Sequence, residues 1–185
     1  MTVPIIQSWF ISHRRFKAHR RFGWLTLLVL APALVVSGLH MVHLMVLRTK
    51  QIDPILLYRF TFLDLGALAL FLIFLVLSIF AIQRKDTDAH IRYMTGTVLF
   101  ALEPALERVF VHYVPGVAGF ASALYFAIVT MEGIVLALLY FEWQRHRIRL
   151  PFSLALGFFL LMHVSMTPVA NSVAFANFAR WFSHL

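Results

Sequence analysis

The chain contains no cysteine. Disulfides, thiolate metal sites, iron–sulfur clusters and thiol nucleophiles are therefore excluded, and cysteine usage gives no indication of the redox compartment. Charge is also scarce. Only 13% of the 185 residues are Asp, Glu, Lys or Arg, whereas 61% are hydrophobic and the mean hydropathy is +0.83. A water-soluble domain of this length could not cover so much apolar surface. The sequence has no Gly-rich phosphate loop, no H-E-x-x-H and no nucleophile elbow, which leaves hydrolytic chemistry without a basis. There is no internal repeat and no low-complexity tract, and the length suits one compact bundle.

Acidic residues are the scarcer sign: eight against sixteen Lys and Arg, for a formal charge of +8. The basic residues cluster between long apolar runs. That pattern fits a membrane topology with the lipid bilayer as main partner, and not nucleic-acid binding. Five runs approach or exceed the ~20 residues needed to cross hydrocarbon. They cover about 23–47, 55–82, 92–114, 119–143 and 151–170, so the expected fold is an all-α bundle of five transmembrane helices spanning 23–170. The third run carries enough charge that hydropathy alone undercounts it.

Residues 1–22 hold five Lys/Arg, the 83–92 loop three (Arg84, Lys85, Arg92) and the 144–150 loop three (Arg145, Arg147, Arg149). With five crossings all three segments fall on one side, which is then cytoplasmic. The expected location is a bacterial inner membrane, with the N-terminus inside and the C-terminus outside. The Arg48–Asp53 connection and the Val114-Pro115-Gly116 turn lie on the outer side. Residues 1–22 are too basic, and too long before the first apolar run, for a cleaved signal peptide, so the first span is expected to remain as an anchor. Ile5, Trp9 and Phe16 fall on one helical face of that segment, which reads as an interfacial amphipathic helix. Residues 171–185 read as a second one, with Phe175, Phe178, Trp181, Phe182 and Leu185 on one face.

Half of the acidic residues, Asp64, Glu103, Glu107 and Glu132, fall inside the apolar runs, together with Arg108, His40 and His163. A charged side chain at the bilayer centre costs at least ~2.5–3.5 kcal/mol. Several at matching depth point to one internal polar site. At 1.5 Å per helical residue, Glu103 stands roughly 16 Å and Glu107 roughly 22 Å above the cytoplasmic boundary, with Asp64 and Glu132 roughly 13 and 18 Å below the outer one. Glu103 and Glu107 are four residues apart and share a face. Pro104 removes a donor to Phe100 and is expected to kink the helix. Arg108 points away from Glu103, and Asp64 is its expected partner. The structural alternative is that these groups glue the bundle, with Glu103 and Glu132 held as neutral acids.

His40, His43, His112 and His163 are the candidate metal or haem ligands, because imidazoles at that depth suit haem iron, copper or zinc. A di-metal Glu-x-x-His signature is absent. Spans one and three carry histidines at both ends, His19 with His43 and His90 with His112, separated by roughly 33–36 Å of helix; two haems held between these spans would both be pushed to headgroup level and are disfavoured. His19 and His90 lie among arginines at the cytoplasmic rim. There they either anchor the helices or receive an anionic headgroup or a quinone carbonyl.

His19-Arg20-Arg21-Phe22-Gly23, then Ser37-Gly38, then Arg84-Lys85-Asp86-x-x-x-His90-x-Arg92-Tyr93-Met94 and Pro104-Ala105-x-x-Arg108 form an ordered set of motifs. Over roughly residues 17–115 this resembles an uncharacterised family of bacterial multi-pass membrane proteins, a domain of unknown function, with H-R-x-x-G and H-x-R-[WY]-M helix starts. Trp24 and the acidic third span depart from its pattern. The resemblance implies the helix layout and marks His19, Arg20, Gly23, His90, Arg92 and Arg108. It implies no reaction. Three functions follow from the residues: a haem, metal or quinone site in a redox-linked role, a proton- or cation-coupled small transporter, or a structural or assembly subunit of a homo-oligomer or larger membrane complex.

Overall fold

In a computed structural model the described residues are 2–47, 53–117, 119–146 and 148–184. Most of the Arg48–Asp53 connection, Arg147 and Leu185 lie outside them. The described residues form helices and turns with no strand. The chain divides into two compact units, Met1–Val42 and His43–Leu185.

The first unit begins with α1 (Thr2–Ser12) and α2 (Phe16–Leu25), followed by a π-helical turn (Thr26–Leu30) that leads into α3 (Ala31–Leu47). The π turn closes when the Ala31 N–H donates to Thr26 O. It lies just before Pro32, which has no N–H to offer Leu28 and crowds that carbonyl, so the wider turn relieves the clash. Residues 1–22 do not form one continuous helix. Arg14 has φ of 54°, and α1 turns back there. Phe16 therefore starts a new helix, so the face expected to join Ile5, Trp9 and Phe16 is interrupted. α1 runs back along α2. The Phe10 and Phe22 rings meet edge-on at 5.9 Å, and the Gln7 side chain lies 3.5 Å from where a Cβ on Gly23 would stand. The Arg15 guanidinium sits 5.0 Å from the centre of the Trp9 ring.

The second unit contains the last turn of α3, then α4 (Pro54–Gln83), α5 (Thr87–Tyr113), α6 (Gly119–Gln144), α7 (Leu150–Ala170) and α8 (Val173–Phe182). Asp53 caps α4 and Asp86 caps α5, their carboxylates accepting from Ile55 N and Ala89 N at 3.0 Å each. α4 and α5 form a tight antiparallel hairpin. Gly96 permits it: a Cβ there would stand 2.3 Å from the Phe74 ring. Phe74 is fully buried and meets Tyr93 and Phe100 edge-on, and Phe100 stacks on Phe159 of α7. On α6, Ala123, Ala127, Met131 and Val135 form a fully buried stripe of mostly small side chains at four-residue spacing, which permits close packing. α8 is capped by Ser172 and lays Phe175 edge-on against Tyr58 and Phe62 of α4.

The outside of this bundle carries many large apolar side chains. Ile73, Val76, Phe126, Val129, Leu136, Leu161 and Val164 are all exposed. Such a surface is stable against acyl chains and not against water. Four helices are long and apolar enough to cross a membrane: Phe16–Leu47, Pro54–Gln83, Gly119–Gln144 and Leu150–Ala170. α5 is not among them, since Asp88, Arg92, Glu103, Glu107 and Arg108 all fall within its length.

Candidate functional site

The buried face of α5 includes Tyr93, Gly96, Phe100, Glu103 and Glu107. The spacing alternates three and four, which is the core seam of a packed helix. Two glutamates thus occupy positions that an ordinary bundle fills with Leu or Ile. They are 3% and 7% exposed. Counted along the helices from their shared turn, Asp64 stands ~28 Å up α4, between Glu103 at ~24 Å and Glu107 at ~30 Å up α5. Asp64 is close enough to act electrostatically on both.

Both carboxyl oxygens of Glu103 are buried with no donor to either. The Glu107 carboxyl lies within hydrogen-bonding reach, and it donates only when it carries a proton. The expected Asp64–Arg108 ion pair is not made. Arg108 is near enough to act on all three acids, yet its Nη1 donates back to Pro104 O at 2.7 Å and the side chain is exposed. α5 continues helical through Pro104.

Glu132 belongs to a different pair. Its Oε1 lies 2.9 Å from His163 Nδ1, joining α6 to α7. The His163 ring also packs against Tyr125, whose hydroxyl accepts from Arg59 Nη1 at 3.4 Å. Counting from the Arg92–Glu142 contact, Glu103 and Glu132 both stand ~15–17 Å up their helices, so the pair and the cluster occupy one level.

That contact anchors a third polar group, at the end of the bundle where both basic turns lie. Arg92 Nε donates to Glu142 Oε1, and Glu142 Oε2 accepts from Arg149 N at 3.1 Å. Arg92 Nη1 donates to Asp88 O at 2.9 Å, and the Arg149 guanidinium approaches Asp86 and Asp88 at 3.7 and 3.8 Å. His90 Nδ1 lies 2.8 Å from Ser78 Oγ and 3.0 Å from Ser78 O. Glu142 and Ser78 are not among the residues expected from the sequence. Glu142 was legible as the continuation of a seven-residue repeat on α6 after Ile128 and Val135, all buried. Its partner is fifty residues away, and no local pattern names it.

The candidate histidines are dispersed. His43 Nδ1 faces Phe182 O at 3.1 Å, His163 pairs with Glu132, and exposed His112 lies edge-on to the ring of Tyr113. His40 is exposed and belongs to the first unit, with His19, Arg20 and Gly23. Among the described residues no group of three or more His, Asp or Glu is arranged to hold a metal ion. The metal or haem ligation expected of His40, His43, His112 and His163 thus finds no support here. The sequence spacing that suggested it fixes depth along each helix but not the direction in which each ring points. No family model, no curated protein and no solved structure matches the chain.

Proposed function

We propose that this is a small proton-coupled membrane transporter whose proton site is the Glu103–Glu107–Asp64 cluster. In this reading α5 is a fifth crossing. Its 27 residues span ~40 Å, and its acids turn toward the bundle while the apolar side chains of its neighbours face lipid. The basic turns at 84–86 and 145–149 mark the cytoplasmic face of a bacterial inner membrane. The observation that carries the reading is the environment of Glu103. A carboxylate with two buried oxygens and no donor has one economical partner, a proton shared with Glu107. Gain and loss of that proton changes the charge at the centre of the bundle, with Asp64 and Arg108 close enough to respond. Among the described residues no group of three or more His, Asp or Glu supports a redox-linked haem or metal role. The motif resemblance to an uncharacterised multi-pass family supports the helix layout only.

Infrared difference spectroscopy on the protein in lipid, stepped in pH while folded, tests the reading. A carboxyl band that titrates in the natural protein and vanishes in both Glu103→Gln and Glu107→Gln is the expected result. A spectrum without a titrating buried carboxyl, or one indifferent to both substitutions, overturns it. Proteoliposomes loaded with a pH-sensitive dye then test for coupled proton movement.

A further inference from the structure

The first unit carries a strong unbalanced charge. Arg14, Arg15, Lys17, Arg20 and Arg21 lie in it, and the first acidic residue of the chain is Asp53. No carboxylate of this unit can neutralise them, because it has none. Two of these cations line a groove. Lys17, Ala18, Arg21, Phe22 and Leu25 of α2, with Phe10 of α1, line this open groove of about 520 Å³.

The order of these residues along α2 gives the groove a direction. Lys17, Arg21 and Leu25 repeat every four residues, so they form one row rising ~6 Å per step. The cations stand at the end nearest the α1–α2 turn. Phe22, with the Phe10 ring against it at 5.9 Å, follows directly on Arg21, and Leu25 stands one turn further along. α2 is also the start of the apolar run Phe16–Leu47. When that run crosses a bilayer, Lys17 and Arg21 come to headgroup level and the apolar end of the groove to the acyl chains. A bare anion would satisfy the cations but leave the apolar walls empty. A neutral lipid would fill the walls but leave the cations unpaired. Both halves together match one amphiphile.

We propose that this groove binds an anionic glycerophospholipid, its phosphate between Lys17 and Arg21 and an acyl chain along Phe10, Phe22 and Leu25. The proposal is independent of the proton-site reading.

The test is native mass spectrometry of the full chain in mild detergent with an equimolar mixture of phosphatidylglycerol and phosphatidylcholine of matched chains. The expected result is preferential retention of phosphatidylglycerol that excess inorganic phosphate does not displace. Each cation near an anionic surface contributes about fivefold, so the Lys17→Gln, Arg21→Gln double variant should bind it about 30-fold more weakly. Phe22→Ser with Leu25→Ser should weaken it while keeping the charge. Arg84→Gln with Lys85→Gln removes two cations elsewhere and should leave retention unchanged. Equal retention of both lipids, displacement by phosphate, or an equal loss in the Arg84/Lys85 control overturns the proposal. Helical content by circular dichroism verifies that each variant is folded, and the exposed cations make that outcome expected.

Discussion

His163 and Glu132, thirty-one residues apart, meet at 2.9 Å between Nδ1 and Oε1 and tie α7 to the middle of α6. Both side chains keep some exposure, 28% and 13%. Polar contacts between membrane helices couple modestly, averaging ~0.6 kcal/mol and reaching ~1.7, because a broken pair finds other partners. A double-mutant cycle of Glu132→Gln and His163→Phe, read by denaturant unfolding in micelles, is expected to give coupling of about 0.5–1.5 kcal/mol. A value near zero would mean that the two groups do not hold the helices together.

The Arg92–Glu142 contact is more deeply enclosed, with side chains 16% and 8% exposed. Removing one member of a buried charge pair typically costs ~3–5 kcal/mol, since the other is left without compensation. Glu142→Ala is therefore expected to destabilise by about 3 kcal/mol. Arg92→Ala added to it should cost little more, because the charge stranded by the first change is then gone. Equal, additive losses would show that the contact carries no coupling.

Asp86 and Asp88 differ sharply although both approach Arg149. Asp86 also caps α5 by accepting from Ala89 N. Loss of a cap costs ~1 kcal/mol, whereas an exposed ion pair at 3.7–3.8 Å is worth little and is screened by salt. Asp86→Ala should destabilise by about 1 kcal/mol at any ionic strength. Asp88→Ala should fall within about 0.5 kcal/mol of the natural protein. Thermal unfolding at two salt concentrations separates the two cases.

Hydropathy was sufficient for α4, α6 and α7, because each has one long apolar run. The α5 seam was also legible, since Tyr93, Gly96, Phe100, Glu103 and Glu107 keep core spacing whether the residue is apolar or acidic. What could not be read is what a side chain does after leaving its helix. Arg108 was expected to reach Asp64 and instead folds onto Pro104 O one turn below. His40 and His43 are three apart, but only the orientation of each ring decides whether they share a ligand. His43 turns to the carbonyl of Phe182, a partner 139 residues away. The break at Arg14 was hidden too, because an arginine with positive φ leaves no sign in the residue pattern that a glycine would.

Gly96 tests the hairpin. A Cβ at that position would overlap the fully buried Phe74 ring, which is held on two sides by Tyr93 and Phe100. Overpacking of this kind costs ~1–3 kcal/mol. Gly96→Ala is expected to destabilise by about 2 kcal/mol despite the better helix propensity of alanine. Phe74→Leu in the same chain should recover part of the loss. Stabilisation by Gly96→Ala alone would show that the helices can separate at no cost.

Glu103 separates a site from glue. Were its carboxyl a structural cross-link, replacing it would weaken the bundle. Its oxygens have no donor except a protonated Glu107, and leaving a buried polar group unsatisfied costs ~1–3 kcal/mol. Glu103→Leu is therefore expected to stabilise the protein by about 1–2 kcal/mol, with the aromatic layer of Phe74, Phe100 and Phe159 below it undisturbed. Glu103→Gln should be close to neutral. Both should abolish the titrating carboxyl signal and any coupled proton movement. A residue whose removal strengthens the fold while ending the activity is retained for function, and chemical unfolding measured beside proton flux on the same two variants reads both quantities. Loss of stability in Glu103→Leu with proton movement intact would return the cluster to a packing role.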